Sequence, residues 1–262
     1  RLLNRENPYP SERPASLDDL VFLPANLSRL VIDPYREACR IDISLSPDIL
    51  LEQPFLIAGL DQAPEEVRRS AWQAANENGV GVVSRTAPDD KARWFQILDA
   101  SNIPDQEAAG WIQPWSDSLP SIDGSNNATL KGIAVTHSDD ISAVLDVALD
   151  QNYQFLFLDA TGGTADWASE LMNQPRFELL SDTVMEMRRR KKEEALVLIY
   201  SGGVRSGTDA ARLIALGANA VVYGVAAALA LGGEIGQSRI DWASDRTPGE
   251  RTDGLKSILN AN

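Results

Sequence analysis

Two glycine turns, one βα unit apart, carry the clearest chemical signal in this chain. Ser201-Gly202-Gly203 follows the apolar run Leu196-Val197-Leu198-Ile199, and Gly224-Val225 follows Ala220 to Tyr223. An unbroken apolar run of this kind reads as a parallel strand covered on both faces. After the first turn Ala210, Leu213, Ile214 and Leu216 recur at helical spacing, and Gly217 stops that helix. After the second turn another helix begins. Glycines at such strand-to-helix junctions expose backbone N–H groups to an anion, helped by the helix dipole. In a (β/α)8 barrel the loops after strands seven and eight are where a phosphate group sits. A single Gly-Gly turn can equally serve close packing or a left-handed backbone. It is the doubling of the pattern that points to phosphate.

Other chemistry is sparse. His137 is the one histidine and Cys39 the one cysteine. A His/Cys zinc site, a disulfide framework within the chain and an iron–sulfur cluster held by this chain are therefore excluded, and no metal site is expected. Any Ser-His-Asp scheme would have to use His137, which reads instead as a cap-region or surface residue. The net charge of −14 argues against nucleic acid as a partner. The basic run Arg188 to Lys192 lies at the C-terminal end of a predicted helix and is followed by Glu193 and Glu194. It reads as a solvated helix end that complements the dipole. The longest apolar run, Val221 to Leu231, is broken by Gly224 and is too short for a membrane span. One cysteine fits a reducing, cytoplasmic compartment. The chain opens on Arg1 rather than Met, so it is expected to be trimmed or a fragment.

The elements that must position the glycine turns alternate along most of the chain. Residues 1–53 are punctuated by Pro8, Pro10, Pro14, Pro24, Pro34 and Pro47 and read as an extended arm. Its apolar anchors are Leu20-Val21-Phe22-Leu23 and Leu30-Val31-Ile32, and such an arm wraps its own domain or a neighbour. From Pro54 onward strands are predicted at 55–59, 81–84, 94–98, 110–113, 129–135, 155–158, 196–199 and 220–223. Helices are predicted over 64–78, over 138–151 with Ser138 as N-cap, and over 177–192. Little helix is predicted between the second and fourth strands. Eight strands, no obvious switch point and no G-x-G-x-x-G favour a closed barrel over a doubly wound sheet. The expected fold is α/β: a compact (β/α)8 TIM barrel over 54–262 with the extended N-terminal arm packed on it.

At this level of detail the sequence resembles a known group. YSGGVRSGTDAARLIALGANAVVYGVAAALALGG is similar to the last two βα units of FMN-dependent barrel enzymes, above all the FMN domain of glutamate synthase and the 2-hydroxy-acid oxidases. TLKGIAVTHSDDISAVLDVALDQNYQFLFLDATGG resembles their fifth and sixth units, with a strand lysine and then a strand ending in Gly162-Gly163. LDDLVFLPANLSRL and EQPFLIAGL look specifically like glutamate synthase. The resemblance implies FMN as cofactor, with its phosphate on Ser201, Gly202 and Gly203 and closed on the other side by Gly224 and Val225. It implies Lys131 at the flavin N1–C2 edge, where a cation stabilises the anionic reduced ring. A rim lysine that merely snorkels is the alternative. It also implies Ala58 and Gly59 beneath the isoalloxazine, and Ser84 and Gln96 at its pyrimidine edge.

The departures are equally specific. After the sixth strand the oxidases carry a histidine base and a nearby arginine; here the segment is Asp159-Ala160-Thr161-Gly162-Gly163-Thr164, which leaves that chemistry without its proton acceptor. Where glutamate synthase binds its cluster, GGEIGQSRIDWASDRTPGE has no cysteine. The implied function is a glutamate synthase-like FMN-dependent oxidoreductase, or the flavin subunit of a larger homo- or hetero-oligomeric assembly. Its partner would be a small-molecule substrate or an electron-donor protein. A non-catalytic barrel that keeps the fold without the chemistry, and a barrel for some other phosphate ligand, remain open.

Overall fold

The computed structural model describes residues 16–22, 40–99, 103–116, 129–237 and 239–261. Eight parallel strands close into one barrel. They are β1 (Phe55–Ile57), β2 (Gly81–Ser84), β3 (Trp94–Ile97), β4 (Gly110–Pro114), β5 (Leu130–Val135), β6 (Phe155–Asp159), β7 (Val197–Ser201) and β8 (Ala220–Tyr223). Neighbours in sequence are neighbours in the barrel. Closure comes from β8 against β1, with Val221 opposite Phe55 and Tyr223 opposite Ile57. The strands predicted from apolar runs are therefore all present, with ends displaced by a residue or two.

Side chains alternate across each strand. Leu56, Val83, Phe95, Ile97, Ile112, Ala134, Phe155, Phe157, Ile199 and Val222 fill the interior. Phe95 and Phe155 meet edge to face at 5.8 Å between ring centroids, and Gly132 leaves the room they need. A Cβ there would fall 2.2 Å from the Phe155 ring. The opposite residues of the same strands, among them Trp94, Trp111, Ile133, Val135, Leu156 and Tyr200, form a second layer under the helices. A hairpin of Ile43–Ser46 and Ile49–Leu51 pushes Leu45, Ile49 and Leu51 against the interior cluster and seals the N-terminal end. Part of the expected arm is thus a floor for the barrel.

Helices α1 (Glu65–Glu77), α2 (Ile141–Asp150), α3 (Trp167–Met172), α4 (Glu178–Arg189), α5 (Gly207–Leu216), α6 (Val225–Ala230) and α7 (Pro248–Ala261) make the outer wall. Ser138 is not the N-cap of α2: it begins a short 3-10 turn, Ser138–Asp140, and Asp140 precedes the α-helix. Between β2 and β4 no helix occurs among the described residues, as the sequence leads one to expect. There the outer wall is made by two buried indoles, Trp94 donating to the Ser84 carbonyl and Trp111 to the Asp105 carbonyl. A second hairpin, Gly233–Ile235 with Ile240–Trp242, precedes α7. α7 packs on α1, where Thr252 Oγ1 donates to the Ser70 carbonyl and Lys256 pairs with Glu77 at 2.6 Å.

Of the arm, Leu17 is buried and Leu20 packs partly buried beside it, whereas Val21 and Phe22 are exposed. The apolar anchor is therefore one turn earlier than expected. Leu23, Leu30, Val31, Ile32 and Cys39 lie outside the described residues. No helix among the described residues is long and apolar enough to cross a membrane.

Candidate functional site

The C-terminal ends of β7 and β8 place two backbone N–H groups around one point. Gly203 lies in the turn after β7 with φ +71°, a left-handed conformation that favours glycine. Val225 opens α6 directly after Gly224. Both amides donate to the same side chain, the carboxylate of Glu170 on α3. Gly203 N meets Oε1 at 3.0 Å and Val225 N meets Oε2 at 2.8 Å. This is the anion geometry that the paired glycine turns imply, with a carboxylate as the anion. The fit leaves no slack, because a Cβ on Gly224 would lie 2.0 Å from Glu170 Oε2. Burial pushes the Glu170 carboxyl above its ordinary value, the neighbouring charge of Asp159 adds to that, and the two amides pull the other way.

Glu170 reaches the turns because the β6–α3 connection crosses the barrel mouth. Asp159 ends β6, almost fully buried, and gathers that connection. Its Oδ1 accepts from Thr161 N, Thr161 Oγ1 and Gly162 N at 3.0–3.1 Å, and its Oδ2 accepts from Ala165 N at 3.3 Å. Thr164 and Ala165 are held at positive φ, 52° and 62°, and Ala165 packs onto the barrel interior. Asp166 then caps α3 by accepting from Ala168 N. The segment spans two cavities. One, of about 230 Å³, sits over the mouth between Gly59, Asp61, Gln62, Arg85, Gly163 and Asp166. The other, of about 310 Å³, lies beside the paired amides and is bordered by Leu17, Asp18, Glu170, Pro175, Gly203 and Arg205.

Among the described residues, each cavity is lined by one cation. Arg85, the residue after β2, faces the mouth cavity and pairs with Asp61 and Asp99, each at 3.4 Å. Arg205 borders the second cavity; it binds Asp18 of the N-terminal arm through both nitrogens of its fork and also pairs with Asp209. These hydrogen bonds raise the Arg205 pKa further.

The residues expected to touch a flavin divide into two sets. Ser201, Gly202, Gly203, Gly224 and Val225 gather at the β7 and β8 ends. Ala58 faces the barrel interior, and Gly59 and Gly163, next to Gly162, border the mouth. Lys131 does not join them. It is the second residue of β5, near the N-terminal end, where its backbone N–H and carbonyl bond Gln154 before β6 begins. It also belongs to the outward set with Ile133 and Val135, so the strand's two-residue period turns it away from the interior. Ser84 and Gln96 share that outward parity, alternating with the interior residues Val83, Phe95 and Ile97. Ser84 Oγ donates to the Thr86 carbonyl and accepts from Trp94 Nε1. Gln96 holds the loop after β3, donating to the Ile103 carbonyl and accepting from Asp105 N. His137 is exposed, its Nδ1 3.1 Å from an Arg176 nitrogen.

Sequence reasoning missed Asp159, Glu170, Arg85 and Arg205 as members of the site. Signals for two of them existed: an acid closing a buried strand at Asp159, and the cap residue Asp166 announcing a helix that carries Glu170 one turn later.

The comparisons with known proteins fall on this geometry. Residues 177–241, which contain both glycine turns, match the FMN-dependent dehydrogenase family. A curated relative, a glutamate synthase large subunit-like protein of Rhizobium meliloti (strain 1021), is 36% identical over 147 residues. That match covers 56% of this chain and 29% of the relative, so the chain spans less than a third of the relative's length. The resemblance to FMN-dependent barrels is thereby shown. Solved structures agree in fold: mandelate oxidase with (S)-mandelic acid superposes with a TM-score of 0.60 at 14% identity, covering 94% of this chain and 79% of that one. Flavocytochrome b2 with sulfite gives 0.56 at 13% identity, covering 84% and 65%.

Proposed function

We propose that this chain is a glutamate synthase-like FMN-dependent oxidoreductase barrel that works as the flavin subunit of a larger assembly. The observation that carries this reading is the convergence of Gly203 N and Val225 N on one anion, inside the segment that matches the FMN-dependent dehydrogenases. The phosphate end fits FMN once Glu170 gives up the two amides. Gly203 and Val225 would then hold the phosphate, with Arg205 beside it. At the ring end Arg85, paired with Asp61 and Asp99, is the cation that borders the mouth cavity, and Gly59 lets the ring approach the β1 end closely. Bound FMN would supply two-electron redox chemistry at its ring. This chain's own residues bind and orient. The interior layer below the mouth is apolar, which keeps water from that face. Asp159 to Thr164, at the end of β6 and directly after it, holds no histidine or arginine to serve as proton acceptor and carboxylate anchor, so the oxidase chemistry of the solved neighbours does not transfer. A partner protein is the expected electron source.

A second reading is favoured by one observation, the presence of Glu170 on the phosphate donors. It is a non-catalytic barrel that has replaced its cofactor by a side chain. Flavin reconstitution separates the two. The purified chain is incubated with FMN, desalted, and its flavin content determined by absorbance and by mass of the released cofactor. Retained FMN supports the flavin reading. FAD, or no flavin from any variant, overturns it.

A further inference from the structure

We propose that Glu170 is an internal occupant of the phosphate-binding site, and that residues 161–172 form a strap which must leave the barrel mouth before a phosphate-bearing ligand can bind. The inference rests on the reading of the β7 and β8 turns as a phosphate site. Three independent features meet in it. Glu170 satisfies both converging amides with both of its oxygens, so neither of the two is left for a second anion. The strap is held down at its other end by Asp159, whose four contacts fold residues 161–165 onto the interior. Its backbone is strained in between, at Thr164 and Ala165. A segment strained in the middle and pinned at both ends by carboxylates has a ready second arrangement, since strain of this kind persists only while its surroundings enforce it.

The second cavity gives the site a direction of entry. It lies beside Glu170, Gly203 and Val225, and one wall is the Ser16-Leu17-Asp18 segment of the arm. Asp18 sits on Arg205, the cation a bound phosphate would also attract. Two acidic side chains of this chain, Glu170 and Asp18, thus hold the groups suited to a phosphate dianion. Charge-assisted bonds from amides and a guanidinium are the strong ones, so the incoming ligand must displace like interactions with like. Its apparent affinity is reduced by the fraction of molecules in which the strap is open.

The test compares the wild type with Glu170→Ala and Glu170→Gln, titrated by calorimetry with FMN, riboflavin and inorganic phosphate. Glu170→Ala is expected to bind FMN and phosphate at least tenfold more tightly than the wild type, a change of about 1.4 kcal/mol. Riboflavin, which lacks the phosphate, should gain less than FMN. Glu170→Gln keeps the shape and serves if the alanine variant does not fold; its amide satisfies only one donor, so it should move in the same direction. Equal or weaker phosphate and FMN binding by the folded variants overturns the proposal, even if the wild type proves to carry flavin. Gain of phosphate binding without any flavin binding supports the strap while removing the flavin reading.

Discussion

Replacing Asp159 by alanine should release the connection that covers the barrel mouth. The carboxylate is 1% exposed and accepts from three backbone amides and one hydroxyl. Of these donors, Thr161 N and Ala165 N belong to residues exposed by 5% and 8%, so water cannot replace the carboxylate without the loop moving. Each hydrogen bond to a charged group is worth about 1.5–3 kcal/mol net, so two buried ones give about 3–6 kcal/mol. Ala165, freed from its bond to Asp159, can leave positive φ, which returns about 1–2 kcal/mol of that. The expected loss is about 2–4 kcal/mol, which lowers Tm by about 5–15 °C in a chain of this size. Asp159→Asn keeps the Oδ1 contacts and turns an amide group toward Ala165 N, so it should cost only about 1–2 kcal/mol. Urea denaturation of the three proteins measures the difference, and limited proteolysis should cut the alanine variant between residues 160 and 166 first. An alanine variant within about 0.5 kcal/mol of the wild type would refute the reasoning. So would an asparagine variant as damaged as alanine, because the loss would then come from charge and not from the bonds.

Two further outcomes follow from the same geometry. Lys131→Met should leave stability within about 0.5 kcal/mol of the wild type and leave FMN affinity and reduction potential unchanged, because the lysine lies on the outer face near the wrong end of β5; a shifted potential by spectroelectrochemistry would put it back at the ring. Stability should also depend on pH with opposite signs at two glutamates, read from urea melts of the wild type against Glu186→Gln and Glu170→Gln. The Arg189 and Arg190 guanidiniums beside Glu186 depress its carboxyl to about 2, so its contribution is present above the ordinary value of 4.5 and is lost as pH falls toward about 2. Glu170 is raised by burial, so its contribution is fullest below that ordinary value and declines as pH rises through the higher folded one.

The sequence by itself determined the barrel and the two glycine turns. Both are local: an apolar run such as Leu196 to Ile199 is a buried strand wherever it goes, and Ser201-Gly202-Gly203 is a turn at its end because the next helix must start there. It also determined the bare stretch between β2 and β4, where the connections carry no helical period. What it did not determine was which face each strand residue takes. In β5 the run Leu130-Lys131-Gly132-Ile133-Ala134-Val135 is apolar on both sides, as barrel strands are when helices cover them, so nothing in it tells inside from outside. One residue of register moves Lys131 from the mouth layer to the outer wall, and the pairing with β4 and β6 chooses the wall. Ser84 and Gln96 were placed by the same parity. Glu170 was beyond local reading for another reason. Its partners Gly203 and Val225 are 33 and 55 residues away in the chain, and only the parallel pairing of β6, β7 and β8 brings the ends of β7 and β8 beside α3. The sequence supplied the donors for an anion; the tertiary structure decided that the chain's own carboxylate reaches them first.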